Sequence, residues 1–225
     1  MTPTSLAAVD YDVAHLAAAL VLLAAFALLY QRRLPGMVNL FAVQSTALGA
    51  AAAWQAWVQD ASQLYVTAAI VWTLKAGAVP AGLHWLIRRL RMTRTVETAL
   101  GIAPTMLVGV ALVSLAILMV TPIGAERSAL TREELALALS VILLGLLIMI
   151  TRRNAVSQVI GFMCIENGVT LAVVGVKGMP LVVEMSVAFS VMVAFILFGI
   201  FFFQIRERFD TLDLHFLESF RGEDR

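Results

Sequence analysis

The sequence predicts an all-α integral membrane protein with seven transmembrane helices. Composition is the first reason, because 61% of the 225 residues are hydrophobic and only 14% are charged, against about 25% charged in an average soluble domain. The second reason is the presence of seven apolar stretches, each long enough to cross about 30 Å of hydrocarbon at about 1.5 Å per residue. Arginine placement, the third reason, predicts the orientation of these helices.

Seven spans follow from the apolar stretches. They cover residues 13–30, 35–58, 64–87, 98–122, 131–151, 155–176 and 180–204. Thr131 and Glu134 have the spacing of a capping box that opens the fifth span, and Pro180 suits the first turn of the seventh. The connections are short, so residues 1–205 are predicted to form one membrane domain, followed by a tail over residues 206–225.

Basic residues are concentrated on one side of the predicted membrane. Twelve of the sixteen Lys and Arg residues fall on that side, three fall on the other, and Lys75 lies inside a span. Because loops rich in Lys and Arg stay in the cytoplasm, the N-terminus is predicted outside and the C-terminus inside. The twelve are Arg32, Arg33, Arg88, Arg89, Arg91, Arg94, Arg152, Arg153, Arg206, Arg208, Arg221 and Arg225.

A weak internal repeat is visible in the polar residues. The first span ends in Arg32-Arg33 before a span that carries Gln44, and the fifth ends in Arg152-Arg153 before a span that carries Glu166. At an offset of 122 residues Gln44 falls on Glu166. This pattern is compatible with two parallel three-helix repeats, spans one to three and five to seven, joined by span four.

Glu166 is the main candidate for a functional residue. It lies near the middle of span six, where a charge costs about 2.5–3.5 kcal/mol on insertion scales. On a helical wheel it points away from a stripe of small residues that suits close helix packing. An acid at this depth is typical of a proton relay, and the alternative is a protonated or salt-bridged packing residue. The stripe consists of Ser157, Gly161, Cys164 and Gly168.

Lys75 lies in the middle of span three, five residues before Pro80. Proline removes a backbone hydrogen bond and tends to kink a helix, which leaves an open carbonyl near the ammonium group. A lysine in this setting suits a proton relay. The alternative is a fixed counter-charge to Glu166, and the two roles can coexist.

Glu184 and His84 are weaker relay candidates. Glu184 follows Pro180 by four residues, where the helix dipole favours an acid without any function. His84 precedes Arg88 by one turn, as a polar residue at the membrane interface would. Only one cysteine is present, and His15 and His84 fall at opposite faces, so we expect no cofactor or metal in this chain.

The tail has the pattern of an amphipathic helix. Its apolar residues Phe209, Leu212, Phe216 and Phe220 recur at spacings of three and four. It carries four basic and six acidic residues, and a net acidic helix is not attracted to anionic lipid. We therefore expect its apolar face to bind a protein partner.

Several short motifs resemble the hydrogenase-4 component E family. They are Arg153-Asn154 through Gln158, Gly161-Phe162, Ile165-Glu166-Asn167-Gly168, Lys75 with Pro80, and Thr211-Leu212-Asp213. The resemblance extends over nearly the whole chain in span number and order. The last three helices of that family are similar to the small three-helix subunit of respiratory complex I and to the C subunit of multisubunit cation/proton antiporters.

This resemblance implies a non-catalytic membrane subunit of a formate hydrogenlyase-like or energy-converting hydrogenase complex in the bacterial inner membrane. Its implied partners are large antiporter-like subunits, complex I-like membrane subunits and a peripheral hydrogenase or dehydrogenase arm that holds iron–sulfur and nickel–iron cofactors. Glu166 occupies the position of a glutamate of the complex I subunit. The chain departs from the pattern in span seven, where Ser190 replaces a second glutamate and Glu184 is the nearest acid.

The sequence is compatible with two other functions. The chain could be a subunit of a cation/proton antiporter without redox activity. It could also be a structural scaffold whose buried charges only neutralise each other. None of the three interpretations involves nucleic acid, and all three place the chain in the lipid bilayer.

Overall fold

A computed structural model of the chain describes residues 3–89, 101–123, 129–174 and 199. All of these except Gly199 belong to one compact unit, Met1–Ala188. Every regular element within the described residues is a helix. This result confirms the all-α prediction.

The described helices follow the predicted spans in order. α3 continues through a π-helical segment, Val71–Ala78, directly into α4, so these three elements form one membrane-length helix, Ser62–Arg89. The bounds are α1 Pro3–Tyr30, α2 Leu34–Gln59, α3 Ser62–Ile70, α4 Val79–Arg89, α5 Ile102–Ile123, α6 Ala129–Thr151 and α7 Ala155–Val174.

Six helices in the described residues are long and apolar enough to cross a membrane. They correspond to the first six predicted spans, and the seventh lies outside the described residues except for Gly199. The predicted capping box at Thr131 is wrong, because α6 already begins at Ala129. Ala and Leu at the two preceding positions are strong helix formers and extend the helix toward its N-terminus.

α2 and α7 run parallel, as do α1 and α6. Near the start of α2, Met37 Sδ lies 3.6 Å from Ser157 Oγ of α7, and at their ends Gln59 donates to the Val174 carbonyl at 3.4 Å. The paired helices are those that the predicted repeat makes equivalent. Asn167 and Ser45, 122 residues apart, are joined by a hydrogen bond of 3.2 Å.

One end of the described bundle carries six arginines. Successive membrane-spanning helices alternate in direction, so the α1–α2 turn, the end of α4 and the α6–α7 turn lie at the same end. We call this the arginine end, and its residues are Arg32, Arg33, Arg88, Arg89, Arg152 and Arg153. Which side of the membrane it faces stays a prediction.

Small residues of α7 allow close packing against α6. A Cβ on Gly161 would lie 3.0 Å from the carbonyl oxygen of Gly145, and one on Gly168 would lie 3.0 Å from that of Ala138. Cys164, between them, is fully buried. Gly161 and Gly168 of the predicted small-residue stripe therefore lie against α6, while Ser157 of the same stripe contacts Met37 of α2. Glu166 lies on the opposite side of α7.

Replacing Gly161 or Gly168 by Val is expected to destabilise the α6–α7 pair. Overpacking of this kind costs about 1–3 kcal/mol, or roughly 2–12 °C in melting temperature for a chain of this size. The single cysteine, Cys164, is buried, so the onset of its labelling by a thiol reagent during heating reports the melting. Gly82→Val is the control, because a Cβ there meets nothing within 4 Å, and an equal shift in all three variants would contradict the prediction.

Candidate functional site

The structure brings Lys75 and Glu166 into direct contact. Lys75 Nζ lies 2.8 Å from Glu166 Oε1, and both side chains are only 2% exposed. Lys75 is the fourteenth residue of the membrane-length helix Ser62–Arg89, and Glu166 is the twelfth of the twenty residues of α7. The ion pair therefore lies near the middle of two membrane helices.

Thr170 completes the immediate surroundings of the ion pair. Lys75 Nζ donates to Thr170 Oγ1 at 3.3 Å, and the same hydroxyl donates to the backbone carbonyl of Glu166 at 2.9 Å. Because Thr170 follows Glu166 by one helical turn, the two lie on one face of α7. The ammonium group is thus held by a carboxylate and a hydroxyl from the same helix.

Lys75 lies inside the π-helical segment Val71–Ala78. In this segment the Val79 N–H bonds to the Leu74 carbonyl, five residues earlier, instead of four. A π turn is wider than an α turn and often occurs at functional sites. The sequence predicts a disturbance here from Pro80, and the structure shows that it takes the form of a widened helix on the N-terminal side of that proline.

A neutral polar cluster lies beside the ion pair, between α2 and α7. Asn167 Nδ2 donates to Gln44 Oε1 at 3.3 Å and to Ser45 Oγ at 3.2 Å. Gln44 Nε2 in turn donates to the Val21 carbonyl of α1 and to Cys164 Sγ. All of these side chains are buried. Since Asn167 follows Glu166 directly, the cluster fixes the rotation of α7 that points Glu166 toward Lys75.

A buried carboxylate and ammonium in contact can exchange a proton. As an ion pair the two groups attract each other strongly in a medium of low dielectric. Transfer of one proton from the ammonium to the carboxylate removes both charges and their desolvation cost together. The arrangement can therefore hold a proton on either group, and a change in local hydration or charge shifts the balance between them.

The other relay candidates do not join this pair in the described residues. His84 Nδ1 lies 2.9 Å from the carbonyl oxygen of Pro80 in its own helix. It follows Lys75 by nine residues, which corresponds to about 13 Å along a helix axis. Glu184 and Ser190 lie outside the described residues, so their proposed roles stay predictions.

Sequence reasoning missed two polar residues that the structure makes prominent. Thr170 was not singled out, although a hydroxyl one turn from an intramembrane acid is a recognisable pattern. Arg152 was assigned only to a loop, yet it is 2% exposed. No local pattern distinguishes it from its neighbour Arg153, because its burial depends on contact with α1, which is distant in sequence.

Comparison with known proteins gives relatives that match most of the chain. A protein of Mycobacterium tuberculosis named "Uncharacterized protein Rv0085" is 28% identical over 205 residues, which cover 88% of this chain and 91% of that protein. Hydrogenase-4 component E of Escherichia coli K12 is 27% identical over 184 residues, which cover 81% of this chain and 85% of that protein. The Shigella flexneri protein of the same name matches equally.

The chain is a homologue of hydrogenase-4 component E. The resemblance that the sequence motifs indicate is thereby confirmed. The similarity to complex I and antiporter subunits is compatible with this homology and stays a prediction. No protein-family model and no solved structure matches the chain.

Proposed function

We propose that this chain is a non-catalytic membrane subunit of a hydrogenase complex related to complex I, in which Glu166 and Lys75 form part of a proton path. The homology to hydrogenase-4 component E supports the membership in such a complex. The observation that supports a proton path is the contact of 2.8 Å between Lys75 Nζ and Glu166 Oε1, near the middle of two membrane helices. The described residues form six helices of membrane length around this pair.

The depth of the ion pair favours a relay over a purely structural role. Two apolar side chains of similar size pack in a membrane without the desolvation cost of two charges. A titratable pair at this depth is therefore typical of a proton pathway. The neighbouring polar side chains Thr170, Asn167 and Gln44 extend the polar region from the pair toward α2.

The redox chemistry in this proposal belongs to partner subunits. We propose a peripheral arm with iron–sulfur and nickel–iron cofactors, together with large antiporter-like and complex I-like subunits in the bacterial inner membrane. This chain supplies proton-handling groups and contact surface within the membrane. Translocation of sodium instead of protons would use the same partners.

Purification of the tagged chain from the native membrane in mild detergent tests the membership. We expect hydrogenase subunits to co-purify in fixed ratio, identified by mass spectrometry. Recovery with antiporter subunits and without any redox subunit would favour the antiporter alternative. Recovery of this chain without partners would contradict the proposal. A tagged, unrelated protein of the same membrane is the control for nonspecific recovery.

A further inference from the structure

Arg152 is buried at the arginine end, immediately after α6. Its Nη2 donates to the carbonyl of Leu29 and lies 3.5 Å from that of Leu28, both in the last turn of α1. Carbonyls at a helix C-terminus lack partners in their own helix and attract cations. The guanidinium group of Arg152 therefore closes the end of a helix that is more than a hundred residues away in sequence.

Gln31 leaves these two carbonyls available to Arg152. Its Oε1 accepts hydrogen bonds from the backbone N–H groups of Arg32 at 3.0 Å and Arg33 at 3.2 Å. In a continuing helix those N–H groups would bond to the carbonyls of Leu28 and Leu29, four residues earlier. The side chain of Gln31 thus ends α1 and directs two exposed arginines toward the same end of the bundle as Arg152.

Two nitrogens of Arg152 have no partner in the part of the chain that the structure describes. Both Nε and Nη1 are buried without a hydrogen bond. An arginine side chain stays charged in proteins, and a buried charge that lacks an opposite charge is strongly unfavourable. The group therefore needs an anion.

The described carboxylates lie elsewhere in the bundle. Glu166 lies near the middle of α7 and pairs with Lys75. The others lie at or near the end opposite the arginine end, in the first half of α1, in the α2–α3 turn or at the start of α6. These are Asp12, Asp60, Glu133 and Glu134.

The neighbours of Arg152 increase its need for an anion. Arg32, Arg33 and Arg153 are exposed at the same end of the bundle. Burial lowers the pKa of the Arg152 guanidinium, and the positive charge of Arg32 lowers that pKa further. A group of like charges with one member buried is a strong attractant for a multivalent oxyanion.

The depth of the arginines matches the level of lipid headgroups. The apolar window of α6 ends at Thr151, one residue before Arg152. Tyr30 and Trp85, at the same end, are 65% and 53% exposed, as aromatic residues of the interfacial belt are. Basic pockets between membrane helices at this level bind anionic headgroups.

We propose that Arg32, Arg33, Arg152 and Arg153 bind the phosphate of an anionic lipid headgroup, with Arg152 as the innermost donor. Its Nε and Nη1 are closed to solvent, so the headgroup has to displace neighbouring side chains. The three exposed arginines can rotate on the ps–ns timescale and contact the outer phosphate oxygens. The bound lipid would hold the α1–α2 and α6–α7 turns together.

Lipid binding to the full-length protein in detergent tests this site. Cardiolipin and phosphatidylglycerol are added separately, with phosphatidylcholine as the neutral lipid, and binding is followed by native mass spectrometry and by melting temperature. We expect anionic lipid to bind and to raise the melting temperature, and Arg152→Gln to weaken that binding at least tenfold. Arg88→Gln, which removes an exposed arginine from α4 at the same end, should bind as the unchanged protein does.

A second variant and a phosphate control can each refute the lipid site. If Arg152→Gln does not fold, the double variant Arg32→Gln with Arg153→Gln leaves the buried contacts in place and should weaken lipid binding at least tenfold. Equal binding by the changed and unchanged proteins would mean that another group neutralises Arg152, and would overturn the proposal. A full melting shift with inorganic phosphate in the absence of added lipid would overturn it in favour of a soluble anion.

Discussion

Glu166→Gln is expected to leave the complex assembled and to reduce its proton translocation roughly a hundredfold or more, the scale of effect seen when a proton-transferring group is removed. Glutamine keeps the shape of the side chain and can still accept a hydrogen bond from Lys75 at the position of Oε1, which lies 2.8 Å from Nζ. It cannot take up or release a proton. Packing is therefore preserved, because Lys75 keeps a hydrogen-bond acceptor and can release its proton to become neutral, whereas the titratable carboxyl group is lost.

Proton translocation is measured with a pH-sensitive dye in vesicles that contain the purified complex. Redox turnover with an artificial electron acceptor, measured in parallel, shows whether the catalytic arm is intact. Glu133→Gln is the control, because Glu133 is a half-exposed acid 3.6 Å from His15 near the other end of the bundle. Full translocation by an assembled Glu166→Gln complex would exclude a relay at this residue.

Lys75→Met is expected to cause the largest loss of stability. It removes one partner of a buried ion pair and strands the carboxylate, which costs about 3–5 kcal/mol. The double variant Lys75→Met with Glu166→Gln removes both charges, and we expect its stability to return to within about 1 kcal/mol of the unchanged protein. The stability that the double variant regains relative to Lys75→Met measures the coupling free energy between the two side chains.

The same double variant separates stability from function. Its melting temperature is followed through the labelling of Cys164, and its translocation is measured in vesicles. In the relay proposal it is stable and does not translocate protons. If the pair is only structural, the double variant is stable and translocates normally. Thr67→Val is the control for a buried polar-to-apolar change away from the ion pair, because Thr67 bonds only within its own helix among the described contacts, at 3.2 Å to Gln63.

Much of the fold could be predicted because membrane insertion depends on local composition. The length and hydropathy of each stretch decide whether it spans the membrane, and the six described spans match their predicted positions. The small-residue stripe on α7 was also predictable, since its spacing places Ser157, Gly161, Cys164 and Gly168 on one face. Helix ends were less predictable, as the early start of α6 at Ala129 shows, because end positions depend on weak local preferences.

A charged residue in the middle of a membrane span carries a free-energy cost of insertion, which makes it a candidate functional residue. Glu166 and Lys75 were identifiable from their depth alone, and both alternatives for Lys75 were already open. The sequence could not decide whether the two side chains meet. Ninety-one residues separate them, and their contact depends on the packing of α7 against α6 and α2 and on the widened turn at Val71–Ala78.

The sequence by itself therefore determined the class of protein, the positions of six spans, the homology and the two candidate charges, because each of these depends on composition or on residues close in the chain. The tertiary structure decided the ion pair of 2.8 Å, the hydrogen bond of Lys75 to Thr170 and the burial of Arg152 against the end of α1. Each of these contacts joins helices that are distant in sequence, and a local pattern does not specify which helix faces meet or how each helix is rotated.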